Sequence, residues 1–198
     1  LQAAYDTLSY DADRKILVVT AETLSPMIDR TDPDTAFIFG DAATAALLTG
    51  EPRSGDMQAA IRRPVLSAMG VDEHILRVPF PKSGEFVEMQ GGQVFRVAVR
   101  KMVDMLSRAC KAEGVTVDEL DMIVTHQANE RIIEAARKMI RFPKERVFNQ
   151  MRLYGNTSSN TIPLALQTVL PNSDAGDKVG LTAFGGGYTF GASVIEVL

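Results

Sequence analysis

One order of elements occurs twice in this chain and constrains its fold more than any other feature. A helix with apolar residues three to four apart leads through an acidic turn into a lysine-led apolar strand. A glycine-containing bend and a strand of small residues follow. The pattern covers residues 1–50 and again 158–198, with weak identity between the two copies. Helices alternating with strands predict an α/β fold built from a duplicated unit.

Residues 51–88 separate the first unit from a more regular C-terminal part. They contain Pro64, Pro79 and Pro81 and predict a connecting insert of loops and short elements. The sequence therefore divides into the end of an N-terminal half (1–50), this insert (51–88) and a C-terminal half (89–198).

Three further stretches predict individual elements. The segment TAFIFGDAATAALLTG (35–50) indicates two strands that meet at a Gly-Asp bend. A long amphipathic helix is predicted to begin near Gly91 and to end at Gly114. LDMIVTH (120–126) is typical of a short buried strand, and residues 127–140 predict a helix directly after it.

The composition excludes several classes of protein. A net charge of −4 argues against a general nucleic-acid binder, whose surface would be basic. The single cysteine, Cys110, excludes an intrachain disulfide framework and fits a reducing, cytoplasmic setting. The most apolar stretch, Val179–Leu198, is interrupted by glycines and predicts strand, loop and strand, not a membrane span.

His126 is the first candidate for chemistry because it ends a predicted strand just before a helix. Ligands of open α/β sheets gather at the carboxyl ends of strands, and an imidazole there can give or take a proton. The structural alternative is a histidine that is hydrogen-bonded to a loop carbonyl.

Asn156 and the glycines of AFGGGYTFG (183–191) are the next candidates. Asparagine beside glycine is first a turn signal, and Ser158 or Ser159 is a candidate cap for the next helix. The functional alternative is an amide NH₂ aimed at an oxyanion. The glycines predict a hairpin bend, or a backbone that approaches a carbonyl oxygen closely.

Cys110 lies mid-helix without a base beside it, and we interpret it as structural.

Basic side chains decorate both predicted long helices. Such residues are usually a solvated face, but together they are also suited to dock an acidic partner. They are Arg96, Arg100, Lys101, Arg131, Arg137, Lys138 and Arg141.

Taken together, these stretches resemble the β-ketoacyl-acyl-carrier-protein synthase III family of thiolase-type condensing enzymes. The resemblance is carried, in family order, by FGDAATAALL, MQGGQVFRVAV, THQANERII, YGNTSSNTIPLAL and AFGGGYTFGAS. It implies a thiolase-like fold of duplicated αβαβα layers and a cytoplasmic homodimer that acts in fatty acid or polyketide biosynthesis.

The resemblance also implies an activity and its residues. An acyl group on a cysteine would be condensed with malonyl-acyl carrier protein by decarboxylative Claisen condensation, with His126 and Asn156 as the catalytic pair. Gly186 would supply an oxyanion-hole N–H. No metal or cofactor is implied beyond thioesters carrying phosphopantetheine on coenzyme A or acyl carrier protein. The implied pantetheine channel is formed by Gly91, Phe95, Ala128 and Asn129, and the carrier-protein docking surface by Arg96, Gln127 and Arg131.

Several departures from the family pattern shape the expectation. The nucleophilic cysteine is expected upstream of Leu1, so the chain is expected to be a fragment that lacks about the first third of the enzyme. Pro33 stands where many members have an arginine for coenzyme A, which favours a carrier-protein donor. Ala42 replaces a usual glycine and Phe190 a common tryptophan, as in a divergent, secondary-metabolism branch.

Two alternatives to the condensing enzyme stay open at this point. One is a non-catalytic partner subunit of a heterodimeric synthase, which would have no need of the histidine–asparagine pair. The other is a thiolase-fold acyltransferase that forms an ester or an amide.

Overall fold

The computed structural model describes residues 1–52, 58–70, 75–77 and 85–198. The predictions made for Pro79 and Pro81 lie outside the described residues. The α-helices are α1 (Gln2–Tyr10), α2 (Gly91–Ala112), α3 (Glu130–Ile140), α4 (Met151–Tyr154) and α5 (Thr161–Val169). The strands are β1 (Lys15–Glu22), β2 (Ala42–Thr49), β3 (Ala59–Ile61), β4 (Val65–Ala68), β5 (Leu76–Arg77), β6 (Glu88–Met89), β7 (Met122–Thr125), β8 (Val147–Phe148), β9 (Lys178–Gly185) and β10 (Thr189–Val197).

The duplicated unit is present as predicted from the element order. In the first copy α1 precedes the antiparallel pair β1 and β2, and in the second copy α5 precedes the antiparallel pair β9 and β10. Lys15 and Lys178 begin the first strand of each pair. The same local pattern has thus produced the same arrangement twice.

The large sheet carries the C-terminal part of the chain. Its strand order is β3-β10-β9-β7-β8, and β4 also pairs with β10, along residues 189–192, whereas β3 pairs along residues 195–197. Strands β7, β8 and β9 are parallel, whereas β10 runs antiparallel to β9. The predicted insert therefore contributes two strands to this sheet, and the division at residues 50 and 88 stays a prediction.

Helix α2 packs its apolar face against the large sheet and α3. The buried residues on it are Val94, Ala98, Val99, Met102, Met105, Leu106, Ala109 and Cys110. Their spacing of three to four residues is the amphipathic pattern that predicted the helix. Five of them form the main core with residues of β7 and β10. The other three, Ala98, Val99 and Met102, pack with Ala128 and Ile132 in a smaller cluster.

Two predicted boundaries are wrong, for identifiable reasons. Residues 35–38 form turns, not a strand, and only β2 follows the Gly-Asp bend. Helix α3 begins at Glu130 instead of residue 127, because Asn129 caps it: its Oδ1 accepts a hydrogen bond of 2.8 Å from the Arg131 N–H.

The β1–β2 pair has one face turned toward α5 and one apolar face that the described residues leave exposed. Leu17 and Val19 on β1 are 62% and 60% exposed, and Leu47 on β2 is 54% exposed. Leu17 and Leu47 are directly opposed in the register, as are Val19 and Ala45. Alternation along each strand places these side chains on one side.

Candidate active site

His126 follows β7 directly and is held in the sheet by its backbone. Its N–H donates a hydrogen bond of 2.8 Å to the Thr182 carbonyl on β9. The imidazole is buried, and its Nδ1 lies 2.7 Å from the Thr161 hydroxyl. The Phe184 ring meets it edge-on, with the centroids 5.3 Å apart. The predicted strand-end position is confirmed, but the side-chain partner is a hydroxyl and not a loop carbonyl.

Burial determines the charge of this imidazole. Removal from water lowers the pKa of His126 to about 4, with no charged group contributing to the shift. The ring is therefore neutral at neutral pH. Its Nε2 has no hydrogen-bond partner among the described residues. One nitrogen is thus fixed by Thr161, and the other is left for a ligand.

The loop that carries Asn156 depends on a glycine. Gly155 adopts φ 65° and ψ −157°, and a Cβ there would lie 2.7 Å from the Ile38 carbonyl oxygen. This backbone region is almost restricted to glycine. The Asn156 N–H then donates to the Ile38 carbonyl at 2.8 Å, and the Asn156 carbonyl accepts from the Gly40 N–H at 2.9 Å. Two backbone hydrogen bonds thus fix Asn156 against the first unit.

The Asn156 side chain stabilises the predicted turn through its oxygen and keeps its amide nitrogen available as a donor. Its Oδ1 accepts a hydrogen bond of 2.9 Å from the Ser158 N–H, as in an Asx turn. This fixes the orientation of the amide, and Nδ2 has no partner in the described part of the chain. Ser158 and Ser159 do not cap the next helix with their side chains, because both hydroxyls donate to the Glu22 carboxylate, at 3.2 and 2.6 Å.

The glycine cluster forms the tight connection between β9 and β10, as predicted. Gly186 is exposed in the turn, and nothing lies within 4 Å of the place where its Cβ would be. Its backbone can therefore be approached closely by a ligand.

These residues meet at one large cavity of about 1170 Å³, more than the usual volume of a small-molecule pocket. The predicted site residues that line it are His126, Asn156, Gly186, Gly91, Phe95, Ala128, Asn129 and Arg131. Thr161 and Phe184 line it as well. Residues that are far apart in sequence thus line the same cavity.

Two predicted docking residues lie elsewhere. Gln127 is 1% exposed, so its assignment to a carrier-protein surface is wrong. Its Nε2 donates to the Thr125 and Phe148 carbonyls, and its Oε1 accepts from the Gln150 N–H at 3.0 Å. Arg96 is exposed on α2 but does not line the cavity.

Cys110 is structural, in agreement with the interpretation from sequence. It is 1% exposed on the inner face of α2, and burial raises the pKa of its thiol to about 11. A thiol acts as a nucleophile through its thiolate, so this cysteine is unsuited to accept an acyl group.

Thr161 and Phe184 are the site residues that sequence reasoning missed. Both stand inside the quoted motifs, but their contacts with His126 join positions 35 and 58 residues away. No local spacing signals such contacts.

No group of three or more His, Cys, Asp and Glu side chains that could hold a metal ion occurs among the described residues. In the same residues, no helix is long and apolar enough to cross a membrane.

Comparison with known proteins relates this chain to one family. Residues 1–63 match the family model described as 3-oxoacyl-[acyl-carrier-protein] synthase III, and residues 110–197 match the model of its C-terminal part. The β-ketoacyl-[acyl-carrier-protein] synthase III of Fusobacterium nucleatum is 36% identical over 99% of this chain. The chain spans 63% of that relative's length.

Solved structures agree with the sequence comparison. The 3-oxoacyl-[acyl-carrier-protein] synthase III of Aquifex aeolicus is 35% identical and superposes with a TM-score of 0.85, covering 98% of this chain and 61% of that one. The priming β-ketosynthase of the R1128 polyketide pathway also gives a TM-score of 0.85, at 29% identity, covering 99% of this chain and 61% of its own. The likeness confirms the predicted thiolase-like α/β fold.

The buried imidazole predicts how stability depends on pH. The unfolded chain binds a proton at His126 below about pH 6.5, whereas the folded chain stays neutral down to about pH 4. The unfolded state therefore binds more protons between these values, and the stability that this residue contributes falls as the pH falls through that window. We expect wild-type protein to lose more unfolding free energy between pH 7 and pH 4.5 than His126→Gln, by roughly 2–3 kcal/mol. Denaturant titration of both proteins measures this difference, and equal losses would contradict the buried, neutral imidazole.

Proposed function

The chain belongs to the 3-oxoacyl-[acyl-carrier-protein] synthase III family, and on that basis we propose that the protein containing it is an acyltransferase. The proposed reaction is the decarboxylative Claisen condensation of an acyl thioester with malonyl-acyl carrier protein. One observation carries the proposal: a neutral His126 and the Asn156 amide each present an unpartnered nitrogen in the described structure, and both residues line one cavity.

The chemistry of decarboxylation explains why two such groups are useful. Loss of CO₂ from a malonyl thioester leaves the electron pair of the broken C–C bond in an enolate, whose negative charge lies largely on the thioester oxygen. N–H donors aimed at that oxygen stabilise the charge as it develops, and one donor is commonly worth about 3–4 kcal/mol. A neutral imidazole can donate without adding a competing charge.

The enolate carbon then attacks the carbonyl carbon of the acyl group held on a cysteine. The new C–C bond forms, the C–S bond breaks, and the thiolate leaves. Because Cys110 is buried with a raised pKa, we assign the nucleophile to a cysteine upstream of Leu1. In this proposal the Gly186 N–H, on the cavity wall, forms the second oxyanion hole together with the N–H of that cysteine.

The acyl donor is proposed to be an acyl carrier protein. Pro33 stands exposed in a turn beside the cavity-lining Asp34. Proline has neither a positive charge nor an N–H to offer a nucleotide phosphate. Similarity to the priming β-ketosynthase supports polyketide biosynthesis as a setting beside fatty acid biosynthesis. We also propose that the protein containing this chain forms a homodimer.

The roles of His126 and Asn156 can be separated from acyl transfer to the cysteine. In the full-length enzyme we expect His126→Ala and Asn156→Ala each to lower CO₂ release from malonyl-acyl carrier protein by roughly 10²–10³-fold, the usual effect of losing one oxyanion donor. Acylation of the cysteine, followed by intact-protein mass spectrometry, should persist.

Asn172→Ala is the matched control. It removes an exposed amide whose Nδ2 donates only to the Thr168 carbonyl, outside the cavity lining. Unchanged CO₂ release in the His126 and Asn156 variants would refute the proposed roles and favour the alternative that forms an ester or an amide.

Arg131 is proposed to dock the carrier protein at the cavity. It lies exposed in the first turn of α3 and lines the cavity, so its charge can meet an acidic partner whose pantetheine arm enters there. Of the three predicted docking residues, Arg131 alone combines exposure with a place on the cavity wall.

Charge reversal tests this docking role. Arg131→Glu should raise KM for malonyl-acyl carrier protein by roughly tenfold through electrostatic repulsion, and change turnover of a small malonyl thioester by less than about twofold. Lys144→Glu is the control, because Lys144 is exposed but does not line the cavity. Equal losses with the two substrates in Arg131→Glu would contradict a docking role.

A further inference from the structure

The His126 ring is held from two sides within the protein. Thr161 contacts its Nδ1 at 2.7 Å, and the Phe184 ring packs against it edge-on. A half-turn of the imidazole would place a carbon atom against the Thr161 hydroxyl and lose that hydrogen bond. The orientation that leaves Nε2 free is therefore the hydrogen-bonded one.

The direction in which Thr161 donates its hydroxyl proton determines which nitrogen of His126 carries the N–H. A neutral imidazole carries one N–H, on either Nδ1 or Nε2, and the nitrogen that is bonded by a neighbour determines which. The Thr161 hydroxyl has one proton and two possible acceptors: Nδ1 at 2.7 Å and the Ser158 carbonyl at 3.1 Å. If the proton goes to Ser158, Nδ1 carries the imidazole proton and Nε2 presents a lone pair. If it goes to Nδ1, Nε2 carries the N–H.

Two observations favour donation to Nδ1. The distance to Nδ1 is the shorter by 0.4 Å (3.1 against 2.7 Å). The Ser158 carbonyl already accepts a hydrogen bond from the backbone N–H of Thr161 and is satisfied without the hydroxyl. By contrast, Nδ1 has no partner other than Thr161 in the described part of the chain. In the opposite arrangement Nδ1–H would donate to the hydroxyl, so Nδ1 is paired in both cases and the distances decide. A hydroxyl donor commonly lies about 2.5–3.0 Å from its acceptor, which fits the contact with Nδ1 and not the longer contact with Ser158.

We propose that Thr161 is a positioning residue that donates its hydroxyl proton to Nδ1 and thereby holds His126 as the Nε2–H tautomer. This inference rests on the proposed function for its consequence: the Nε2–H becomes a donor to the enolate oxygen, beside the Asn156 amide. The opposite tautomer would direct a lone pair at that oxygen and repel it.

The tautomer is measured directly, without any substrate. We expect ¹⁵N-histidine-labelled full-length protein at pH 7.5 to show the two-bond ¹H–¹⁵N correlation pattern of the Nε2–H form for His126, assigned by its loss in His126→Gln. Thr161→Ser, which keeps the hydroxyl, should show the same pattern. Thr161→Val should show a mixture of tautomers or the Nδ1–H form. An Nδ1–H pattern in the wild-type protein would overturn the inference whether or not the Val variant folds.

Kinetics provide the second readout. Thr161→Val should lower kcat for CO₂ release by roughly 10–100-fold with KM changed by less than about threefold, since orientation of a donor, and not substrate binding, is lost. Thr161→Ser should recover most of kcat. Thr168→Val, on the exposed side of the same helix, is the control and should match the wild-type protein.

The outcomes separate this inference from the proposed function. If the Nε2–H tautomer depends on Thr161 but the enzyme releases no CO₂, the positioning role is supported and the proposed decarboxylation is refuted. If CO₂ release depends on His126, and Thr161→Val changes neither that release nor the tautomer, only the positioning role is overturned.

Discussion

The site depends on one fully buried amide that ties the first unit of the fold to the loop carrying the candidate asparagine. Asn160 is 0% exposed, and its Oδ1 accepts hydrogen bonds from the Thr20 and Thr44 hydroxyls at 2.6 and 3.1 Å. Its Nδ2 donates to the Ala42 carbonyl at 2.9 Å. Strands β1 and β2 are thus hydrogen-bonded to the segment 156–161, which carries Asn156 at one end and Thr161, the residue that contacts His126, at the other. A buried amide is tolerated here because its hydrogen-bonding groups are satisfied.

Burial also determines the electrostatic character of the site, because it keeps the His126 imidazole neutral. The two candidate donors and the Thr161 hydroxyl are neutral groups, whereas the acidic Asp34, which also lines the cavity, is exposed. The charged Arg131 is exposed, at the first turn of α3. Neutral donors in a low-dielectric setting stabilise a developing anion without a permanent ion that would have to be desolvated. This separation suits a substrate that becomes anionic inside the cavity and arrives on an acidic partner outside it.

Much of this could be read from sequence where the signal is local. Helix periodicity, the repeated unit and the glycine bends depend on neighbouring residues, and Gly155 beside Asn156 marks a turn that the structure contains. The rest depends on distant partners. The family resemblance implies a docking role for Gln127, but Gln127 is buried and its amide is hydrogen-bonded to Phe148 and Gln150. Thr161 could not be assigned, since only the folded chain brings it to His126.

The central claim is that His126 Nε2 and Asn156 Nδ2 converge on one oxygen atom of the substrate. A crystal structure of the full-length protein with a malonyl thioester analogue that cannot lose CO₂ tests it most directly. We predict the thioester-derived oxygen within about 2.7–3.1 Å of both nitrogens, the distance expected for oxyanion donors. An oxygen bound by neither nitrogen, with the malonyl group elsewhere in the cavity, would contradict the account.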